Sequence, residues 1–172
     1  MKKPLVAVVM GSDSDMQIMQ EAMQVLADFD IPHSVTITSA HRCPQRTASF
    51  ARNARKNGIA VIIAGAGWAA HLAGVIAAET TLPVIGVPID SSPLNGLDAL
   101  LATVQMPGGV PVATMAVGRA GARNAAVFAA QILALTHPDI RKKLDAYKKK
   151  LARGLVAKSR AVERKLAVRR EK

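Results

Sequence analysis

Five times along the chain, a short apolar run stops at a polar or glycine-bearing loop and gives way to a segment with helical spacing. Residues 5–10 run apolar and stop at Gly11-Ser12, and 14–28 then place Ile18, Met19, Met23, Val25 and Leu26 at helix intervals. Residues 33–38 carry β-branched side chains in alternation, and Pro44 suits the first turn of a helix over 44–56. Residues 59–64 end at Gly65-Ala66-Gly67 before an alanine-rich helix over 68–80. Residues 83–87 repeat the strand, with a helix over 94–104, and residues 110–117 give a fifth strand with a helix over 121–135. A further helix is expected over 139–155, weakened locally by Gly154. The last dozen residues are expected to be helical only if they lie on another subunit.

This rhythm constrains the fold more than any single motif does. Strands that read as continuously apolar are covered on both faces, and connections this long suit right-handed crossovers, so the pattern predicts a parallel sheet between two helical layers. A chain of 172 residues that is 50% hydrophobic has enough apolar material for one substantial core. The division expected is an α/β domain over 1–138 and a basic helical arm over 139–172. In parallel sheets ligands bind beyond the carboxyl ends of the strands, near a change of strand order. The loops to inspect are therefore GSDSD (11–15), TSAHRC (38–43), GAGWAAH (65–71), residues 90–95 and QMPGG (105–109).

The formal charge of +11 looks like a nucleic-acid signal until its distribution is read. Residues 1–140 carry nine charges of each sign, whereas 141–172 hold 14 Lys or Arg against three acids. A neutral body with a basic arm can meet phosphates, but no zinc-finger spacing, aromatic RNA-binding strand or helix-turn-helix pattern accompanies it. A solvated helix used in packing or assembly is the simpler reading of the arm. One cysteine, Cys43, excludes an intramolecular disulfide framework and suits a reducing, cytoplasmic compartment. No apolar stretch approaches the roughly 20 residues of a membrane helix.

In GSDSD, Gly11 permits a tight turn, Ser12 offers a hydroxyl, and the amides opening the next helix can hold an oxyanion. Asp13 and Asp15 would repel a phosphate, so at least one caps the helix or takes sugar hydroxyls. Capping alone explains this loop equally well. It is neither a P-loop nor a GxGxxG fingerprint, which leaves a small phosphorylated ligand better supported than ATP or NAD. In SAHR, Ser39 can hydrogen-bond, Arg42 can clamp phosphate with its fork of donors, and His41 brings the side-chain type that titrates nearest neutrality. His41 and Arg42 equally fit a structural pair. Gly65 and Gly67 allow close backbone approach, and His71 lies about one turn into the helix, where a buried histidine bonded to a carbonyl is the plain alternative. Two histidines and a Cys43 without a CxxC partner do not make a metal site, and no GxSxG is present. Cys43 reads as a helix-start thiol rather than a nucleophile.

Taken together, GSDSD, SAHR-x-P (39–44), GAG-x-AAHL-x-G (65–74), PVIGVP (83–88), QMPGGVPV (105–112) and GxxGAxNAAxxAAQIL (118–133) resemble the carboxyaminoimidazole ribonucleotide mutase (PurE) family of purine biosynthesis. The resemblance covers residues 5–135 in register. It implies a flavodoxin-like three-layer α/β subunit with strand order 2-1-3-4-5, assembled as a homo-octamer with active sites between subunits. It also implies isomerisation of N5-carboxyaminoimidazole ribonucleotide to 4-carboxy-5-aminoimidazole ribonucleotide, without metal or cofactor, downstream of an ATP-dependent synthetase. LNGLDALL and QMPGGVPVAT resemble the mutase class rather than the related class that carboxylates aminoimidazole ribonucleotide directly with CO2.

By matching motif, the resemblance implies that Ser12, Ser39 and Arg42 hold the 5'-phosphate, Asp15 the ribose hydroxyls, and that His41 is the general acid/base. His71, Leu72 and the segment Gly65, Ala66, Gly67, Trp68, Ala69 and Ala70 would shape a pocket for the ring and for released CO2. Trp68 stands where the family usually has glycine, Ala73 where it has proline, and Cys43 where it has threonine. The indole can fill the pocket, reshape it or turn outward. Beside the mutase reading stand direct carboxylation and a nonenzymatic phosphate-ligand or RNA-binding protein using the basic arm.

Overall fold

The computed structural model describes the backbone of residues 3–170 and the side chains of 3–166. Four apolar runs become strands β1 (Val6–Met10), β2 (His33–Ile37), β3 (Val61–Gly67) and β4 (Val84–Ile89), and the fifth shrinks to β5 (Ala113–Thr114). Between and after them lie helices α1 (Met16–Asp28), α2 (Pro44–Ala54), α3 (Leu72–Glu79), α4 (Leu97–Val104), α5 (Arg119–Ala134) and α6 (Pro138–Arg170). All strand pairs are parallel, in the order β2-β1-β3-β4-β5. This is the flavodoxin-like sandwich with a C-terminal helical extension.

Burial follows from strand position. In β1, β3 and β4 both faces are covered, so Val8, Ile63 and Ile85 on one face and Val9, Ile62 and Val84 on the other are buried. β2 is an edge strand, and Val35 and Ile37 remain exposed on it. One core lies between the sheet and α1 and α5, where Met19, Leu26 and the row Ala122, Ala126 and Ala129 meet the strands. The second lies under α2 and α3 around Ala51 and Ile76. Small alanines on α5 let it sit close to α1, and Glu21 of α1 accepts hydrogen bonds from Arg119 (2.9 Å) and Arg123 (2.7 Å) across that seam. These two guanidinium partners hold the Glu21 carboxyl below its ordinary pKa.

Several boundaries differ from the sequence expectation, each for a local reason. β5 loses most of the expected strand over 110–117 because Pro111 has no amide proton to give the ladder, and only Gly86 and Ile85 pair with it. β3 runs through its glycines to Gly67, so α3 starts at Leu72, later than expected. α4 starts at Leu97 because Asn95 and Gly96 turn with positive φ, 51° and 83°. α6 crosses Gly154 without a break and continues to Arg170. Its Ala, Leu, Lys and Arg content outweighs one glycine, which costs about 1 kcal/mol. Only its start joins the body: Ile140 is in the core, Leu144 and Tyr147 pack against it, and Tyr147 meets Phe29 edge-to-face at 5.4 Å. Every described side chain from Lys148 onward is exposed.

Two helical glycines test this account with opposite signs. A Cβ at Gly121 would sit 1.6 Å from the Ala116 carbonyl oxygen, whereas one at Gly154 would meet nothing within 4 Å. Gly121→Ala is expected to destabilise by roughly 2–4 kcal/mol through backbone displacement. Gly154→Ala should stabilise α6 by about 0.5–1 kcal/mol. Chemical denaturation of both variants measures the difference, and equal effects would contradict the packing described.

Candidate active site at the carboxyl ends of the strands

The switch in strand order falls between β1 and β3, and three loops converge there. Gly11 donates its N–H to the Gly65 carbonyl (3.2 Å), extending the β1–β3 pairing by one bond beyond the strand. The Arg42 guanidinium donates through Nη2 to the Gly11 carbonyl (2.9 Å), tying the second loop to the first. Thr38 continues the β1–β2 ladder by donating to Met10 (3.0 Å), and its buried hydroxyl meets that of Thr47 at 2.9 Å. The loop that carries His41 therefore starts from an anchored residue.

These contacts enclose a cleft of about 540 Å³. Ser12, Asp15, Ser39, His41 and Arg42 line it from the first two loops. Ala66, Gly67, Trp68, Ala69, His71 and Leu72 line it from the third. Gly65 and Ala70, expected in the same wall, do not. Gly65 lies behind it, where a Cβ would run into the Met19 sulfur at 2.3 Å, and Ala70 is buried. Ser91, beyond β4, also lines the cleft. The sequence pointed to residues 90–95 without singling it out. A local signal exists in Gly67, because a Cβ there would stand 1.9 Å from Ser91 Oγ. QMPGG, the remaining candidate loop, contributes nothing to this cleft.

In the first loop the capping reading is met. Ser12 caps a short 3-10 turn over Asp13–Asp15: its hydroxyl accepts from the Ser14 N–H (3.4 Å), and its own N–H donates to Asp15 Oδ2 (3.1 Å). Asp15 is nevertheless at the cleft wall and only 5% exposed. Burial pushes its carboxyl above the ordinary aspartate pKa, against the lowering effect of the Ser12 and Gly11 amides, the Ser14 hydroxyl and Arg42. In the second loop the Ser39 hydroxyl accepts from the Arg42 N–H (3.2 Å). Ser12, Ser39 and Arg42 line the cleft together, with the Ser12 hydroxyl donating to Asp13 Oδ1 (3.0 Å) and Arg42 Nη2 on the Gly11 carbonyl.

In the same cleft, His41 Nε2 and His71 Nδ1 are 2.9 Å apart and the rings are nearly perpendicular, at 84°. One proton lies between the two nitrogens, donated by one imidazole and accepted by the other. His71, expected about one turn into the helix, stands instead at the N-cap position of α3 with no capping bond from its side chain, and it is exposed and faces His41, not a backbone carbonyl. Trp68 is 58% exposed at the rim and has a left-handed backbone, φ 54°. It does not fill the cleft.

Cys43 stands at the start of α2 and does not line the cleft. Its sulfur accepts from the Ser39 N–H (3.2 Å) and lies 3.4 Å from the Thr38 hydroxyl. These two contacts, the Thr38 bond foremost, lower its thiol pKa. Among the described residues no group of three or more His, Cys, Asp or Glu is placed to hold a metal ion. Nor is any helix among them long and apolar enough to cross a membrane.

A family profile described as AIR carboxylase matches residues 5–154. The N5-carboxyaminoimidazole ribonucleotide mutase of Pyrococcus horikoshii is 52% identical over 162 residues, covering 94% of this chain and 90% of its own. That of Thermotoga maritima is 51% identical over 160 residues, covering 93% and 92%. The crystal structure of Treponema denticola PurE superimposes with a TM-score of 0.80 at 26% identity, covering 90% of this chain and 95% of that one. With a profile match over most of the chain and relatives at this identity, the chain belongs to the AIR carboxylase family, among its N5-carboxyaminoimidazole ribonucleotide mutases.

Proposed function

We propose that this chain isomerises N5-carboxyaminoimidazole ribonucleotide to 4-carboxy-5-aminoimidazole ribonucleotide in purine biosynthesis, with His41 as the single proton carrier. The observation that carries the residue assignment is the His41–His71 pair, 2.9 Å apart, in one cleft with Ser12, Ser39 and Arg42. The 5'-phosphate lies against Ser12, Ser39 and Arg42, and the buried Asp15 carboxylate accepts from the ribose hydroxyls. That places the imidazole ring of the substrate toward the histidines.

His41 protonates the carbamate nitrogen, and the N–C bond breaks to release CO2 and leave aminoimidazole ribonucleotide. The electron-rich C4 then attacks that CO2, and His41 takes the C4 proton back. Protons balance within the cycle, so no external acid or base is needed. His41 gives its proton as imidazolium and takes one back as neutral imidazole, and the bond to His71 Nδ1 orients its ring between the two steps. Holding CO2 beside the ring replaces a bimolecular capture by an intramolecular one. That requires exclusion of water, yet both histidines are exposed in the single chain.

Closure by neighbouring copies in a homo-octamer resolves this. The start of α6 belongs to the α/β body, and the basic arm beyond it is the assembly element. Leu151, Leu155, Val162 and Leu166 are more than half exposed along it, an apolar stripe that neighbouring subunits can cover. A cytoplasmic setting suits the free thiol, and the substrate comes from an ATP-dependent carboxylating synthetase.

Three outcomes test this reading. His41→Asn should bind the nucleotide and lose about 10³-fold or more in a direct isomerisation assay, whereas near-native turnover would sink the assignment. Bicarbonate in excess should leave the initial rate with N5-carboxyaminoimidazole ribonucleotide unchanged. Efficient carboxylation of aminoimidazole ribonucleotide, with no turnover of the carbamate, would instead assign direct carboxylation. For Asp15, the folded state holds the proton more tightly than the unfolded chain, so its ionisation costs stability as pH rises above the ordinary aspartate range near about 4. Asp15→Asn should therefore melt higher than the parent at neutral pH, lose that advantage toward pH ~4, and raise the KM for the nucleotide. A gain independent of pH would remove the buried-charge explanation.

A further inference from the structure

Among the described residues, three other than glycine have a left-handed backbone: Asp30, Trp68 and Asn95. Aspartate and asparagine tolerate that region, but for a bulky residue it is a genuine outlier with a steric cost. Trp68 adds a second cost, because its large apolar ring is 58% exposed. Both costs fall on the one tryptophan in a chain with only 3% aromatic residues, and at the rim of the cleft. Strain of this kind persists where a ligand uses the side chain.

The cleft shows what is missing. Ser12, Ser39 and Arg42 answer an anion, and Asp15 answers hydroxyls, but a nucleotide also carries a flat heteroaromatic ring. Among the lining residues the aromatic rings are His41, His71 and Trp68, and the two imidazoles meet edge-to-face and share a hydrogen bond, while the planar Arg42 guanidinium is tied to the Gly11 carbonyl. Trp68 is left as the broad apolar surface available to stack on a ring.

We infer that Trp68 is a base-stacking and specificity-determining residue: its indole face holds the heterocycle of the substrate beside His41 and favours nucleotides over sugar phosphates without a ring. The inference rests on the nucleotide reading of the cleft, though not on the isomerisation. Its strained backbone lowers folded-state stability in exchange for binding, so removing the side chain moves the two in opposite directions.

The test uses the intact full-length protein in its native assembly. Aminoimidazole ribonucleotide should change the Trp68 emission saturably, while ribose 5-phosphate at saturating concentration leaves it unchanged. By calorimetry, Trp68→Gly should weaken aminoimidazole ribonucleotide roughly tenfold and leave ribose 5-phosphate unaffected, with Trp68→Phe within about threefold of the parent. Trp68→Gly should also melt higher, by roughly 2–4 °C. Unchanged or tighter nucleotide binding in Trp68→Gly, a large gain in its turnover, or equal emission changes with both ligands would overturn the inference. Nucleotide binding with this pattern but no isomerisation leaves it standing and overturns only the reaction. Failure of both ligands to bind overturns the nucleotide site and this inference together.

Discussion

The site depends on Gly11, whose two backbone groups hold three loops in register. Its N–H reaches the Gly65 carbonyl and its own carbonyl receives the Arg42 guanidinium, so the ends of β1, β2 and β3 are tied at one residue. Parallel pairing makes this possible, since all carboxyl ends face the same way and β1 lies between β2 and β3. The close approach of neighbouring chain explains the small residues nearby. Gly65 yields space to Met19 behind the sheet, and Gly67 yields space to the Ser91 hydroxyl. The core and the cleft are thus shaped by the same strand, β3.

Around that hub, groups unfavourable for folding gather on the cleft side. Asp15 is a carboxylate whose burial raises its pKa, and Trp68 is an exposed apolar residue with a strained backbone. The opposite needs are met away from it. Val6 to Met10 are wholly buried, and small alanines bring α5 onto the sheet and α1. A core with few aromatics therefore carries a site with several local costs, the usual division between a stabilising scaffold and a functional end. α6 extends this division, with its start inside the core and its basic remainder free of the body.

Most of the fold was legible because apolar runs alternate with segments of helical spacing, and Gly11 follows directly on the end of β1. Pro88, which reads in the sequence as closing its strand, instead pairs with Ala66 inside β4, which runs on to Ile89. Legibility failed where pairing overrides local pattern. Residues 110–117 have strand-like composition but lie at an edge and include Pro111, so only Ala113–Thr114 pair. Gly65 to Gly67 look like a loop, yet parallel partners on both sides keep Gly65 extended and β4 alone carries the strand on to Gly67. Beyond residue 158, helix was expected only against another subunit; α6 continues there, and its described side chains are exposed in the single chain.

By itself the sequence determined the alternation of strands and helices, the three polar loops at the strand ends, and the family resemblance, because these rest on local spacing and residue type. His41 and Arg42 beside a strand end were visible as candidates, but the sequence left open whether they were a structural pair. Tertiary structure alone decided that His41 meets His71, 30 residues away, at hydrogen-bond distance, and that Arg42 binds the Gly11 loop. It also decided that Gly65 and Ala70 stand behind the wall while Ser91 enters it, and that Trp68 sits at the rim instead of filling the pocket. Such outcomes depend on how far apart the strand ends stand and where each Cβ points, which sheet order and backbone angles set and linear spacing does not.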